Sequence, residues 1–268
     1  MRDATGPIHT VIAYNSARES ENRIHDDAVA RQYGFAGGLV PGVDVYAYMT
    51  HAAVQYWGRE WLERGWISAR FLKPVYDGEE VAVRAEPAAG GGLEIAALSR
   101  GEVCGQGTAR LPEVPPALPA LHDFPRRPLP DERPPASAAT LPLDALLGSY
   151  DCVHGAGEAA RYLADVREDL PLYAEAGLVH PGFMLRLANW ALRQNVRLGP
   201  WIHVASEVRN LRAVEVGTPL SARARITANY ERKGHKFVAL DVLGLAAGEA
   251  PVIRIGHTAI YQPRRVAA

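Results

Sequence analysis

Two stretches of this chain are apolar on nearly every helical face. Residues 42–62 (GVDVYAYMTHAAVQYWGREWL) and 182–196 (GFMLRLANWALRQNV) contain few helix breakers. A helix that is apolar all round belongs in a core, so the pattern predicts two long buried helices. Each is followed by runs that alternate between apolar and polar positions. The first set is Ile67–Phe71, Glu80–Ala85, Leu93–Leu98 and Val103–Leu111. The second is Ile202–Val208, Leu220–Tyr230, Phe237–Leu243 and Val252–Tyr261. Period-2 alternation, with turn signals at Asp77-Gly78 and Gly90-Gly91-Gly92, predicts antiparallel hairpins.

The two sets look like copies of one unit. Gly38-Leu39-Val40 matches Gly177-Leu178-Val179 at an offset of 139. The same offset aligns the stretch from Arg70 to Gly78 with that from Arg209 to Gly217. Gly107-Thr108-Ala109 parallels His257-Thr258-Ala259 at an offset of 150, and the extra residues fit a longer hairpin from Glu231 to Gly248. Between the copies, ten of the 20 prolines fall from Pro112 to Pro142. Proline lacks an N–H and fixes φ, so this segment can hold neither a helix nor a central strand. It reads as an extended linker crossing a surface. The expected organisation is therefore an N-terminal half over 1–111, a linker over 112–143 and a C-terminal half over 144–268. The fold class is α+β, a double hotdog: two long central helices, each wrapped by an antiparallel sheet, paired within one chain as an internal pseudo-dimer.

Composition narrows the partners. Nearly half of the 268 residues are apolar and the net charge is −1, so the basic footprint of a nucleic-acid binder is missing. Cys104 and Cys152 are far apart with no CxxC spacing, which points to a reducing cytoplasm. No apolar run reaches the roughly 20 residues of a membrane-spanning helix, and the first ten residues lack a charged-then-apolar leader pattern. The histidines show no metal-ligand spacing, so neither a metal nor another cofactor is expected.

Candidate chemistry concentrates before the first long helix. Asn22-Arg23-Ile24-His25-Asp26-Asp27 is followed by Gly34-Phe35 and then Gly38-Leu39-Val40-Pro41-Gly42. A polar loop carrying an imidazole thus precedes a helix N-terminus, whose free N–H groups can hold a carbonyl oxygen. Asp27 is expected to cap a short helix over Ala28–Tyr33.

These residues resemble the motif of the MaoC-like, (R)-specific enoyl-thioester hydratase family. Asn22, Ile24, His25 and Asp27 stand at matching places. Gly34-Phe35 and Leu39-Val40-Pro41-Gly42 match the family's helix entrance, with proline where the family has histidine. Phe71-Leu72-Lys73-Pro74-Val75-Tyr76-Asp77-Gly78-Glu79-Glu80-Val81 matches its strand motif. The resemblance covers roughly residues 10–110 and reaches the second half only through the repeat. It implies addition of water to, or its removal from, an acyl thioester of CoA or a carrier protein. His25 would be the base, Asn22 would orient the water or the ring, and the Gly42 N–H would hold the thioester oxygen. One departure stands out. The family's catalytic aspartate lies five residues before the histidine, and Ser20 occupies that place here. Ser20 can hydrogen-bond a water but is a poor acid. Glu19 and Glu21 flank it and are expected to face solvent. The counterpart of His25 in the second half is Ala164, so one pocket is expected, and His180 at the second helix entrance reads as structural. Two other functions stay open: a thioesterase using Asp44, and a binding protein without catalysis. Oligomerisation beyond the internal pair is left open.

Overall fold

Among the residues that this computed structural model describes, 8–265, ten strands join in one antiparallel sheet. Residues 1–7 and 266–268, the outer ends of the two expected halves, lie outside the described residues. The first half supplies β1 (His9–Ile12), β2 (Trp66–Phe71), β3 (Glu80–Pro87), β4 (Leu93–Ser99) and β5 (Glu102–Arg110). The second supplies β6 (Tyr150–Val153), β7 (Ile202–Asn210), β8 (Pro219–Arg232), β9 (His235–Ala246) and β10 (Ala250–Gln262). The helices are α1 (Asp27–Arg31), α2 (Gly42–Trp57), α3 (Arg59–Arg64), α4 (Ala156–Asp165), α5 (Pro171–Glu175) and α6 (Pro181–Arg193).

The sheet order is β1-β3-β4-β5-β2-β7-β10-β9-β8-β6. Read outward from the middle, the two halves have the same strand sequence. The register at the join confirms the repeat: Ser68 sits opposite Glu207, its own counterpart at the offset of 139. The local twofold axis relating the halves therefore passes between these two residues. Equivalent bonds recur on both sides, with Val40 N–H donating to Val75 O and Val179 N–H donating to Val214 O, each at 2.8 Å.

The sheets that wrap the two helices are continuous with one another. An unpaired inner edge would leave a row of N–H and C=O groups open. Pairing β2 with β7 satisfies both edges and fuses the sheets. β1 and β6, four residues each, were not legible from alternation because they are too short.

The helix predicted over 42–62 is broken. Gly58 adopts φ +62, which closes α2 through its N–H to Val54 O and lets the chain restart as α3. The apolar stretch Val43–Val54 of α2 is buried throughout. Side chains such as Val45, Met49 and Val54 each contribute roughly 1.5–3 kcal/mol by leaving water. α2 packs against α6, and Gly182 makes the crossing possible. A Cβ there would lie 2.7 Å from Ala47 Cβ and 2.2 Å from the Tyr162 hydroxyl. One apolar core runs through both halves. The proline-rich segment has a single short 3-10 turn, Leu121–Asp123. It is strapped down rather than merely crossing the surface: Phe124 and Leu141 are buried, and Pro134 O accepts from Arg197 N–H at 2.7 Å. No helix of the described residues is long and apolar enough to cross a membrane.

Candidate functional site

The loop before α1 folds as a 3-10 turn over Arg23–His25, with Asn22 as its cap and Ile24 buried beneath it. Asn22 spends its amide on the other half of the molecule. Its Oδ1 accepts from Trp201 N–H at 3.1 Å, and its Nδ2 donates to Trp201 O at 3.0 Å. Those two backbone contacts fix which end of the amide is nitrogen. Nδ2 also lies 3.1 Å from His25 Nε2, so Nε2 must be the acceptor. On the far side of the ring, His25 Nδ1 is 2.6 Å from Leu39 O. A carbonyl can only accept, so Nδ1 carries the proton. Both contacts give the same neutral tautomer. Burial pushes the His25 pKa below the ordinary imidazole value, against the Leu39 carbonyl and the Asp44 charge, which pull it up.

The turn after α1 is built around this histidine. A Cβ at Gly38 would fall 2.1 Å from His25 O, so only glycine allows the strand into α2 to pass. Asp27 holds that turn by accepting from Gly38 N–H at 2.7 Å. This corrects the expected capping role of Asp27. α1 starts one residue earlier, and Asp26, in extended conformation, accepts from Val29 N–H at 3.0 Å as the cap.

Two cavities meet at His25. An inner slot of about 230 Å³ has mostly apolar walls, including Leu39, Val45, Phe71 and Ile260, and opens onto Gly42. An outer cavity of about 220 Å³ is lined by Ser16, Ser20 and four arginines: Arg133, Arg186, Arg193 and Arg197. Asn22, His25, Pro41, Asn189 and Trp201 border both. The predicted residues His25, Asn22 and Gly42 are thus brought together. Ser20 lines the outer cavity, but its hydroxyl reaches only Asn22 O, at 3.4 Å. Among the described residues no carboxylate hydrogen-bonds the imidazole. Glu21 points to the outer mouth and pairs with Arg133 at 3.0 Å.

Asp44 is buried in the first turn of α2, and both its oxygens are engaged. Oδ1 accepts from Arg186 at 2.9 Å and Oδ2 accepts from the Ser16 hydroxyl at 2.5 Å. Arg186 comes from α6, bonds Ser16 Oγ at 3.0 Å and lies 4.5 Å over the Tyr162 ring. This ion pair ties the two helices together beside the outer cavity.

The two helix entrances differ. α2 has no side-chain cap, and the Gly42 and Val43 N–H groups make no hydrogen bond among the described residues. They are therefore free donors at a positive helix end. At α6 the counterpart of Gly42 is Pro181, which has no N–H, and Gly182 N–H is taken by His180 Nδ1 at 3.0 Å. The other ring nitrogen of His180, Nε2, lies 3.2 Å from Glu168 Oε2.

Sequence reasoning missed residues that come from the second half. Asn189 borders both cavities with its Oδ1 buried and unpartnered among the described residues. The available signal was that Arg186 and Asn189 are polar residues three apart on an otherwise apolar helix, hence on one face. His203 packs against the α2 entrance: a Cβ at Gly42 would sit 3.0 Å from its Nδ1. Its Nε2 bonds Ser206 at 2.8 Å, and Ser206 bonds His257 at 3.1 Å.

No protein-family model and no curated protein matches the chain. Solved structures do. A conserved Mycobacterium tuberculosis protein with a double hotdog fold superposes with a TM-score of 0.65 at 17% identity, over 94% of this chain and 93% of that one. The chain has the double hotdog fold. A Chloroflexus aurantiacus protein named as a MaoC-domain dehydratase gives a TM-score of 0.60 at 13% identity, over 97% and 94% of the two chains. A Lactobacillus plantarum protein named as an oleoyl thioesterase gives 0.53 at 11% identity, over 99% of each. Proteins named for dehydratase and for thioesterase chemistry are therefore both among its structural neighbours.

Proposed function

We propose that this double hotdog is a hydro-lyase that adds water to, or removes it from, an acyl thioester at one pocket in its N-terminal half. The observation that carries the reading is the shared slot. A neutral imidazole with its lone pair on Nε2 and an uncapped helix N-terminus at Gly42 open onto the same apolar space. In hydration, a water proton passes to His25 Nε2 as the water oxygen bonds to the β-carbon. The Gly42 and Val43 N–H groups hold the enolate oxygen. The imidazolium then gives its proton to the α-carbon, so the ring ends neutral and one water has been added. Asn22 donates to Nε2 at rest, so the incoming water must take over that contact. Burial keeps the imidazole neutral near pH 7 and makes its conjugate acid a good donor, which suits one group serving both steps in place of the aspartate replaced by Ser20. Arg193 and Arg197 form no ion pair among the described residues. They give the outer cavity a positive mouth suited to the phosphates of CoA or of a carrier protein's prosthetic arm. Thioesterase chemistry through Asp44 is disfavoured because both its oxygens are occupied.

The test is absorbance at the enoyl-thioester band with short-chain 2-enoyl and 3-hydroxyacyl CoA. Turnover that falls by about 10²–10⁴ in His25→Gln supports the proposal. Tight binding of these thioesters without turnover would instead identify a binding protein, and release of free CoA a thioesterase.

A further inference from the structure

Asn189 is set apart from the other asparagines of the chain. Asn15, Asn22, Asn195, Asn210 and Asn229 each hydrogen-bond through the side-chain amide. Asn189 makes no such bond among the described residues, and its Oδ1 is buried without a partner. An unpaired buried polar atom costs stability, so the fold itself gains nothing from an amide here. The repeat sharpens the contrast. The counterpart of Asn189 at the offset of 139 is Thr50 on α2. Its hydroxyl is buried and donates to Ala47 O within its own helix at 2.9 Å. Of two equivalent helix positions, the one that borders the cavities is the unsatisfied one.

The position of Asn189 says what it faces. Arg186, Asn189 and Arg193 share one face of α6, and all three line the outer cavity. Asn189 also reaches the inner slot, so it stands with His25 where the two spaces meet. Other polar side chains of the slot are already engaged. Asn22 has both ends of its amide on Trp201, His203 Nε2 is on Ser206, and Lys73 pairs with Glu102. The free N–H groups at the α2 entrance are assigned to the thioester oxygen. The reacting water, which carries no charge, has one contact in the proposed reaction, His25 Nε2. One hydrogen bond does not fix the direction of its lone pair.

We propose that Asn189, from the second half of the chain, holds the reacting water against His25. The inference rests on the hydro-lyase reading and adds a residue to it. The amide nitrogen donates to the water oxygen, and one water hydrogen points at His25 Nε2. The remaining lone pair then faces the β-carbon, to which the oxygen bonds as the proton passes to the imidazole. In the reverse direction the departing hydroxyl keeps the amide hydrogen bond while it takes the proton from the imidazolium. Asn189 gains and loses no proton in either direction. Rotation about its last torsion, which is soft for an amide, carries the group into the junction. The second contact that Ser20 is too far from the ring to give thus comes from across the interface between halves. A pocket on the first half depends on α6 for its water.

The experiment compares the full chain with Asn189→Leu, in steady-state hydration of a 2-enoyl CoA and in thermal unfolding. Leucine has nearly the same volume and removes the unpaired oxygen. The expected result is a kcat lower by roughly 10- to 100-fold, a KM changed less than about threefold and a Tm unchanged or raised. Asn189→Ala should give the same split of kcat from KM, and it serves if leucine disturbs α6. The acid limb of the pH profile, which belongs to His25, should not move in either variant. Asn189→Asp gives a readout that needs no turnover. A carboxylate beside the imidazole raises its pKa, so the His25 ring signals should titrate at higher pH by NMR. Wild-type kcat in both apolar variants, a rise in KM at constant kcat, or a His25 titration unmoved by Asn189→Asp would each overturn the inference while leaving the hydro-lyase reading intact. A wild-type chain without hydratase turnover would overturn that reading and this inference with it.

Discussion

Replacing Asp44 with asparagine isolates the charge that joins the two halves. The side chain is 2% exposed and lies 2.9 Å from Arg186, whose own side chain is 24% exposed. Asp44→Asn keeps the volume but removes the counter-charge from a guanidinium packed over Tyr162. Breaking a buried pair by removing one partner costs about 3–5 kcal/mol. Water reaches Arg186 from the outer cavity, so this variant belongs at the low end, about 3 kcal/mol. At roughly 2–4 °C per kcal/mol for a chain of this size, Tm should fall by about 6–12 °C. Arg186→Met strands the carboxylate instead, which has almost no access to water, and should cost about 4–5 kcal/mol. The double variant should lose at least about 1 kcal/mol less than the sum of the singles, because neither charge is then left alone. Urea unfolding of the four proteins measures all of this. A loss below about 1 kcal/mol for Asp44→Asn, or strict additivity of the pair, refutes the reasoning. The same variant separates the functions: held well below its Tm, it should keep hydratase turnover within a few-fold, whereas a thioesterase relying on Asp44 would be inactive.

The pH profile of kcat/KM should report His25. Its pKa is lowered by burial, so the base stays neutral and competent below pH 6.5, and activity should decline only as pH falls through that depressed value. An acid limb centred above 6.5 would contradict the buried tautomer. Gly42→Ala should place its Cβ 3.0 Å from His203 Nδ1 and 3.2 Å from His203 Cβ. Such overpacking costs about 1–3 kcal/mol, partly offset by the better helix propensity of alanine. His203→Ala in the same chain should recover most of that loss in an unfolding experiment.

The strands were legible because alternation depends only on which face meets the core. Eight of the observed strands begin and end within a few residues of the expected runs. Fusion of the two sheets was not legible, because it depends on edge pairing that alternation does not encode. The break after Trp57 was marked by Gly58, yet apolar residues on both sides masked it. Asp26 and Asp27 are equally good caps in sequence, and only the Gly38 N–H decides between them. The slot's second wall, with Asn189, Trp201 and His203, lies far along the chain from His25. It was invisible to motif reading, which sees one segment at a time. The absence of a carboxylate at His25, by contrast, was already visible at Ser20.

The duplication explains why a single pocket is expected. Both halves keep the contacts that hold the shared sheet, such as Val40 on Val75 and Val179 on Val214. They diverge where a helix end meets solvent or ligand. Proline at 41 cannot offer a side chain to cap α2, and glycine at 42 leaves an N–H exposed with room for His203 beside it. In the second half the order is His180 then Pro181. The first caps the helix with its own imidazole, and the second removes the donor altogether. A helix end satisfied from within gains stability but has nothing left to give a thioester oxygen. On this reading, placing histidine at 41 should stabilise α2 and diminish turnover together, each change arising from the same N–H groups. A Pro41→His variant with raised Tm and undiminished turnover would show that those N–H groups are not the oxyanion donors.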